Sequence, residues 1–341
     1  IMQRNRNRVT IKDIALQCNV TANTVSRALR DDRKISEATI QKIKKTALEM
    51  GYVRNNMASA MRSGSSHLIS IIVDDLPNPH YSVLIDKIDY LLKKNGYDIM
   101  ILCSHGKMEE SLKMANLSIS NLVNGIIYFP DSNDRSVTER IKKNHIPLVL
   151  VDRAVSGVET DVVRVDDYQG GALAAERMYM AGHRKFLYIC GPEGNGAQPL
   201  RQQGFLDTLS GYGVDPSEIR MIRGDRIYPM PDSAELFQLL QPIRYTGIFS
   251  FNDQIAYSVM NALQDHGCRV PEDISMIGFD HIRTGMPCLR PLSSIGCENT
   301  VDPAERVVEL LLRRIKNPEH AFVSEVLPVM LYEAESTVRK I

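Results

Sequence analysis

The sequence predicts a small all-α head followed by a larger α/β body of two lobes. Three observations carry this. The first 66 residues show apolar positions only at helical spacing, short apolar runs alternate with amphipathic segments from His67 onward, and that alternation occurs twice in series. The chain has 341 residues, enough for two or three domains with sizeable cores. Its hydrophobic content of 43% and charged content of 24% are those of an ordinary globular protein. No apolar run approaches a membrane span, and the basic start "IMQRNRNRVT" is followed by no apolar signal region, so a cytoplasmic protein is expected. Six scattered cysteines without a C-x-x-C pair suit neither a zinc site nor a disulfide framework.

In the head, Ile11, Ile14, Ala15 and Cys18 fall on one helical face, and Val25, Ala28 and Leu29 on another. Between them, Asn19 can end the first helix and the Thr21 hydroxyl can cap the second. Ser36 with the run Ile40, Ile43, Ala47, Leu48 reads as a third helix ending at Gly51. The expected head core is Ile11, Ile14, Ala15, Val20, Val25, Leu29, Ile40, Ile43 and Leu48. Ala22, Asn23, Thr24, Ser26 and Arg27, at the start of the second helix, are left without a core role.

Charge is unevenly placed. Residues 1–66 hold 13 Lys/Arg against 5 Asp/Glu, a balance of +8, while the other 275 hold 28 against 36, a balance of −8. A basic head on an acidic body points to a polyanion bound at the head alone. In a helix-turn-helix the start of the second helix enters the major groove, where Asn suits adenine and Arg suits guanine. Asn23 and Arg27 have those side chains, and Arg27 suits a phosphate equally. Thr10, Thr24 and Ser26 offer hydroxyls suited to phosphate oxygens. Asn55 to Arg62 is long enough for one or two helical turns, too few to stand alone in water, and Gly64-Ser65-Ser66 forms a flexible joint.

At this point a resemblance becomes specific. The head resembles that of the lactose-repressor (LacI/GalR) family of bacterial transcription regulators, carried by Thr10, Ile11, Asp13, Ile14, Ala15, Val20, Thr21, Thr24, Val25, Ser26 and Arg27. The resemblance implies a hinge helix that folds when two copies meet on a palindromic operator, with Asn55 and Ala58 on the DNA and Met61 as a minor-groove wedge. Met61 stands where leucine is usual, Arg54 where proline is common and Ser59 where arginine is common. It also implies an α/β effector domain of the two-lobed periplasmic-binding-protein-like type. The expected division is 1–54 for the head, 55–66 for hinge helix and linker, and 67–341 for the body. Within the body the first lobe is placed at 67–162 and 293–321, the second at 163–292 and 322–341.

In the body, "LISIIVDD", "YDIMILCSH", "NGIIYFP" and "IPLVLVDR" form the first series of buried parallel strands, and "KFLYICGP", "IRMIRGD", "TGIFSFN" and "ISMIGFD" the second. "EVLPVMLYEAEST" reads as one closing strand on the second lobe. Ligands of doubly wound sheets sit beyond the carboxyl ends of strands, so two facing lobes define one cleft. Residues there include Asp74, Asn78, His80, Tyr81, Asp152 and Arg153 from the first lobe, and Arg201, Asn252, Asp253 and Asp280 from the second. Carboxylates, an amide and an arginine are the groups that hold sugar hydroxyls, and the same residue types serve as helix caps and salt bridges. His80, Tyr81, Asp152, Arg201, Asn252 and Asp280 are the expected effector contacts, and the resemblance supports Arg201 in "RQQGF", Asn252 in "FND", Asp280 in "GFD" and Asp152 in "LVDR". Arg226, where the family often has an aromatic, His281 in place of a second acid, and Ser293-Ser294 in place of threonines leave the effector open. The expected function is a repressor of a carbohydrate-utilisation operon controlled by a sugar-type effector, and the alternative is a corepressor-dependent regulator responding to a purine or phosphorylated metabolite.

No P-loop, dinucleotide fingerprint or nucleophile elbow is present, and "GPEGNG" matches none of them. No catalytic residue, metal or cofactor is therefore expected. A transport-type solute-binding protein would share the body and lack the head. The expected partners are double-stranded operator DNA, a small sugar-type effector and a second copy of the chain. Val83, Leu84, Ile88, Leu91 and Leu92 fit either a dimer face or ordinary core.

Overall fold

The computed structural model describes residues 9–53, 65–282 and 291–337. The chain forms two compact units, Ile1–Gly64 and Ser65–Ile341. The first holds α1 (Ile11–Cys18), α2 (Ala22–Ala28) and α3 (Glu37–Glu49). Asn19 stops α1 in the left-handed region, the Thr21 hydroxyl accepts from Thr24 N–H to start α2, and Ser36 does the same for α3 through Thr39. Ile14, Ala15, Cys18, Val25, Ala28, Ile40, Ile43 and Ala47 make the core, with Ile11, Val20 and Leu29 packed at its edge. Leu48 is the exception, being 82% exposed. The buried stripe of α3 runs 40, 43, 47, and one further residue turns the side chain about 100° away from it. Ala47 takes the place that Leu48 was expected to fill.

The second unit contains two six-stranded sheets. The first has the order β11-β5-β4-β3-β1-β2, built from β1 (Leu68–Val73), β2 (Asp98–Cys103), β3 (Gly125–Tyr128), β4 (Leu148–Val151), β5 (Asp161–Val165) and β11 (Ser324–Leu327). The second has the order β12-β10-β9-β8-β6-β7, from β6 (Phe186–Ile189), β7 (Ile219–Ile222), β8 (Gly247–Ser250), β9 (Ser275–Phe279), β10 (Ser293–Cys297) and β12 (Val329–Tyr332). Pairing is parallel throughout except between β10 and β12. The central strands are buried on both faces because helices cover them, which is why they read as continuous apolar runs. Those helices are α4 (Pro79–Lys94), α5 (Met108–Ser120), α6 (Ser136–Lys143), α7 (Asp167–Met180), α8 (Ala197–Gly211), α9 (Ser233–Leu240), α10 (Asp253–Asp265) and α11 (Pro303–Lys316). On α4, Leu84, Ile88 and Leu92 lie in the first-lobe core, so the helix face weighed as a dimer surface is mostly spent on packing.

The chain crosses between the sheets three times: after β5, after β10 and between β11 and β12. These crossings displace the expected lobe boundaries. β5 belongs wholly to the first sheet, including residues 163–165, whereas β10 pairs with β9 in the second. The segment expected as one closing strand is two, β11 beside β5 and β12 beside β10, divided at Pro328. Proline has no N–H to continue a ladder, and its carbonyl accepts from Glu298 N–H on the neighbouring crossing at 3.0 Å.

Candidate functional site

In the N-terminal unit the first turn of α2 exposes Ala22 and Asn23 to solvent, with Thr24, Ser26 and Arg27 half-buried beside them. Thr24 is engaged with its cap, the two hydroxyls of Thr21 and Thr24 lying 2.9 Å apart. Arg27 Nε donates to Asp32 at 2.9 Å, which holds the Asp32 carboxyl below its usual range. This pair fixes the arginine stem while its two terminal amino groups remain beyond Nε. Thr10 starts α1, its N–H and hydroxyl both donating to Asp13 at 2.7 Å. Asn23 thus remains the exposed amide at the tip of the second helix. Asn55, Ala58 and Met61 lie outside the described residues.

The second unit has a cavity of about 310 Å³ between its lobes, at the low end of pockets that take small molecules. His80 and Asp152 reach it from the first lobe, Arg201 and Asp280 from the second, and Val163 and Val165 of β5 form part of its apolar wall. Each charged group is placed by local chain geometry. His80 occupies the first turn of α4, where its N–H donates to the Asn78 cap at 3.0 Å. Asp152, just past β4, adopts a φ of 65° and Asp280, just past β9, a φ of 99°. Both turns are held by sheet-like hydrogen bonds, from Asp152 N–H to Val163 O at 2.9 Å and from Asp280 N–H to Ile295 O at 2.8 Å.

Arg201 is placed by two glycines. A Cβ on Gly204 would come within 1.9 Å of the Tyr168 carbonyl oxygen, and one on Gly171 within 2.1 Å of the Arg201 oxygen. Only glycine lets α7 and α8 pack backbone to backbone, and that contact brings Arg201 to Asp167. Arg201 Nε donates to Asp167 Oδ1 at 2.8 Å, Nη1 donates to Phe251 O at 2.6 Å and lies 3.7 Å from Asp280 Oδ1. The guanidinium also stacks 3.4 Å from the Phe279 ring centroid, a cation–π contact.

The electrostatics follow from burial and pairing. His80 Nε2 lies 3.3 Å from Asp152 Oδ2. Burial opposes the imidazolium, but the charges of Asp280 and Asp152 and the hydrogen bond to Asp152 outweigh it and push His80 up to about 9. Burial also works against ionised Asp152, and here too the neighbours win, His80 first, so its carboxyl titrates below the usual range. Asp280 goes the other way, raised by burial despite His80 and Arg201. The site therefore combines a histidine and an aspartate of the first lobe with an arginine and an aspartate of the second, facing one another across the lobes.

Two expected contacts do not reach the cavity. Tyr81 is 4% exposed, sits edge-on to Phe129, and its hydroxyl accepts from Arg153 Nη2 at 3.1 Å. Arg153 in turn donates to Asp74 at 3.0 Å, so Asp74, Arg153 and Tyr81 form a buried network of the first lobe. The side chain next to His80 points into the core because successive helical residues turn by about 100°. Asn252 is 4% exposed and caps α10, accepting from Ile255 N–H at 3.0 Å.

Among other residues near the site, Asp167 carried no sequence signal, whereas Arg226 and His281 stood out as departures from the family pattern. Asp167 follows the α7 cap Asp166 and is 2% exposed, a role that an Asp-Asp pair does not announce. His281 stacks on Tyr332 with ring centroids 3.5 Å apart at the cavity edge. Arg226 is exposed, and Tyr228, two residues on, is the aromatic of that loop that turns inward. Among the described residues no cluster of His, Cys, Asp or Glu could hold a metal, five cysteines are free, and no helix is long and apolar enough to cross a membrane.

Comparison with known proteins assigns both units. Residues 10–55 match the family of bacterial regulatory proteins of the lacI type, and residues 175–337 match the periplasmic binding protein-like domain. The chain is 31% identical over 291 residues to the HTH-type transcriptional repressor CytR of Escherichia coli K12, covering 84% of each. It is 28% identical over 342 residues to the HTH-type transcriptional repressor PurR of Vibrio vulnificus, covering 97% of this chain and 99% of that one. Among solved structures, the periplasmic binding protein/LacI transcriptional regulator from Alkaliphilus metalliredigens complexed with D-xylulofuranose is 26% identical, with a TM-score of 0.68 over 80% of this chain and 99% of that one. A helix-turn-helix head, two doubly wound lobes and relatives that are repressors along most of its length place this chain in the LacI family of bacterial transcription regulators.

Proposed function

We propose that this chain represses carbohydrate-utilisation genes in the bacterial cytoplasm, binding a palindromic operator as a homodimer whose affinity is set by a sugar-type effector lodged between its lobes. The observation that carries the effector reading is the cavity of about 310 Å³ with His80 and Asp152 on one side and Arg201 and Asp280 on the other. Such paired donors and acceptors suit a ring bearing several hydroxyls, each able to donate and accept. The sugar held by the A. metalliredigens relative supports the same class. Asn23 and Arg27 read base edges in this proposal, while Thr10, Ala22, Thr24 and Ser26 position the head on the backbone. Effector binding changes operator affinity only through its unequal affinity for the two arrangements of the dimer.

Gel retardation with the palindrome nearest the coding sequence, at low salt, tests both halves. The chain retards the fragment, added sugar changes the midpoint, and Arg201→Ala retains retardation but loses the sugar response. Retardation of no symmetric fragment sinks the DNA half. An unchanged sugar response in Arg201→Ala and Asp280→Ala together sinks the cleft assignment.

A further inference from the structure

We infer that Ser294 and Asp253 form a hydrogen-bonded brace that holds Asp280 in the cleft, and that both are positioning residues of the effector site. Asp280 and His281 are consecutive non-glycine residues at φ 99° and 47°, a pairing that side chains disfavour and that surrounding contacts must enforce. Those contacts are specific. His281 N–H donates to Ser294 Oγ at 3.0 Å, Ser294 Oγ–H donates to Asp253 Oδ1 at 2.6 Å, and Ile282 N–H donates to Asp253 Oδ2 at 2.8 Å. The two amides that follow Asp280 are thereby tied to one hydroxyl and one carboxyl group, each 1% exposed.

A simpler role for Asp253, capping α10, is already filled. Asn252 is the cap and accepts from Ile255, which leaves both oxygens of Asp253 for the turn and for Ser294. Ser294 has a single hydroxyl proton, and giving it to Asp253 makes its oxygen the acceptor for His281. Two glycines clear the space: a Cβ on Gly278 would lie 2.1 Å from Asp253 Oδ1, and one on Gly296 would lie 2.4 Å from the His281 Cβ. Ser294 also belongs to β10, the strand from which the chain crosses to α11 on the first lobe, so the brace joins the cleft turn to a strand that leads between the lobes.

The inference rests on the proposed function only in taking Asp280 as an effector contact, and its test needs no effector. His80 reports where the Asp280 carboxylate is, because Asp280 and Asp152 raise its titration while Arg201 lowers it. The imidazole of His80 is followed by NMR in the full chain, identified by its loss in His80→Gln, with Asp280→Asn as the reference for complete removal of the charge. Ser294→Thr keeps the hydroxyl and Ser294→Val matches its shape without it, while Ser294→Ala covers a site too tight for the extra methyl. Expected is a His80 midpoint lower by about one pH unit in Ser294→Val and Ser294→Ala, and unchanged in Ser294→Thr. An unchanged midpoint in both hydroxyl-free variants, or an equal fall in Ser294→Thr, overturns the brace and leaves the effector reading intact. Loss of the sugar response in no cleft variant overturns the effector reading and leaves the brace intact.

Discussion

The tip of α2 and the interlobe cavity both collect polar side chains, yet they spend them differently. Ala22 and Asn23 face solvent, and the partners around them, such as Thr21 for Thr24, Asp32 for Arg27 and Arg30 for the Ser26 carbonyl, all lie within a few residues in sequence. In the cavity, His80 is paired with Asp152 from 72 residues away, and Arg201 with Asp167 from 34 residues away and with Phe251 O from 50. On the proposed reading, a surface that meets a large polyanion leaves its readers open and lets DNA complete them. A cleft meant for a small molecule desolvates its charges in advance, so they must satisfy one another until a ligand displaces part of the arrangement.

That contrast can be broken first at Arg201. Its removal leaves the 2% exposed Asp167 carboxylate without its partner, and losing one member of a buried pair costs about 3–5 kcal/mol. Urea unfolding of Arg201→Ala, followed by circular dichroism, should show a body destabilised by that amount. A change below about 1 kcal/mol would mean that the pair is not buried in solution.

Asn23→Ala is the matching change on the open surface. Its stability should stay within about 0.5 kcal/mol of the parent, because Asn23 touches no core. Operator binding should weaken by about 1–3 kcal/mol while the salt dependence keeps its slope. Fluorescence anisotropy on operator and on scrambled DNA checks this, with equal losses on both placing Asn23 among the phosphate contacts.

pH sharpens the comparison, since the cleft holds groups pushed up to about 8 and 9, whereas Asp32 beside the α2 tip is held below the usual carboxylate range. His80 is held up to about 9, above its ordinary 6.5, so its stabilising contribution is complete below about pH 6.5 and is lost as pH rises through 9. Asp253, pushed up to about 8 by burial and by Asp280, acts in the same direction, its contribution fading as pH rises from about 4 to 8. Thermal unfolding should therefore show the body losing on the order of 1–3 kcal/mol between pH 6 and 9. His80→Gln should flatten the upper part of that fall, and an identical curve for the variant would contradict the His80–Asp152 pairing.

The smallest effect is expected at Leu48. Being 82% exposed, it should accept lysine with a change within about 0.5 kcal/mol, whereas Ile43→Ala in the head core should cost about 2–5 kcal/mol. Comparable losses from both would return Leu48 to the core.

Much of this was legible along the chain. The caps Thr21 and Ser36, the left-handed stop at Asn19 and the buried strands are local consequences of side-chain chemistry and spacing, and the structure contains them where the spacing places them. Four of the six cleft candidates, His80, Asp152, Arg201 and Asp280, do meet at one cavity, because residues just past parallel strands and at helix starts are directed there by topology. Tyr81 and Asn252 share that neighbourhood in sequence but not in space, since the turn of a helix sends one into the core and a capping bond holds the other.

The sequence by itself determined the three-helix head, the two βα series and the charge that divides them, because period, capping and composition act over a few residues. Tertiary structure alone decided which sheet β10, β11 and β12 would join, which glycines would bring α7 against α8, and which carboxylates would share a buried site. Those outcomes depend on partners dozens of residues apart, and the free energy of a buried charge is set by what surrounds it in space, which no local pattern records.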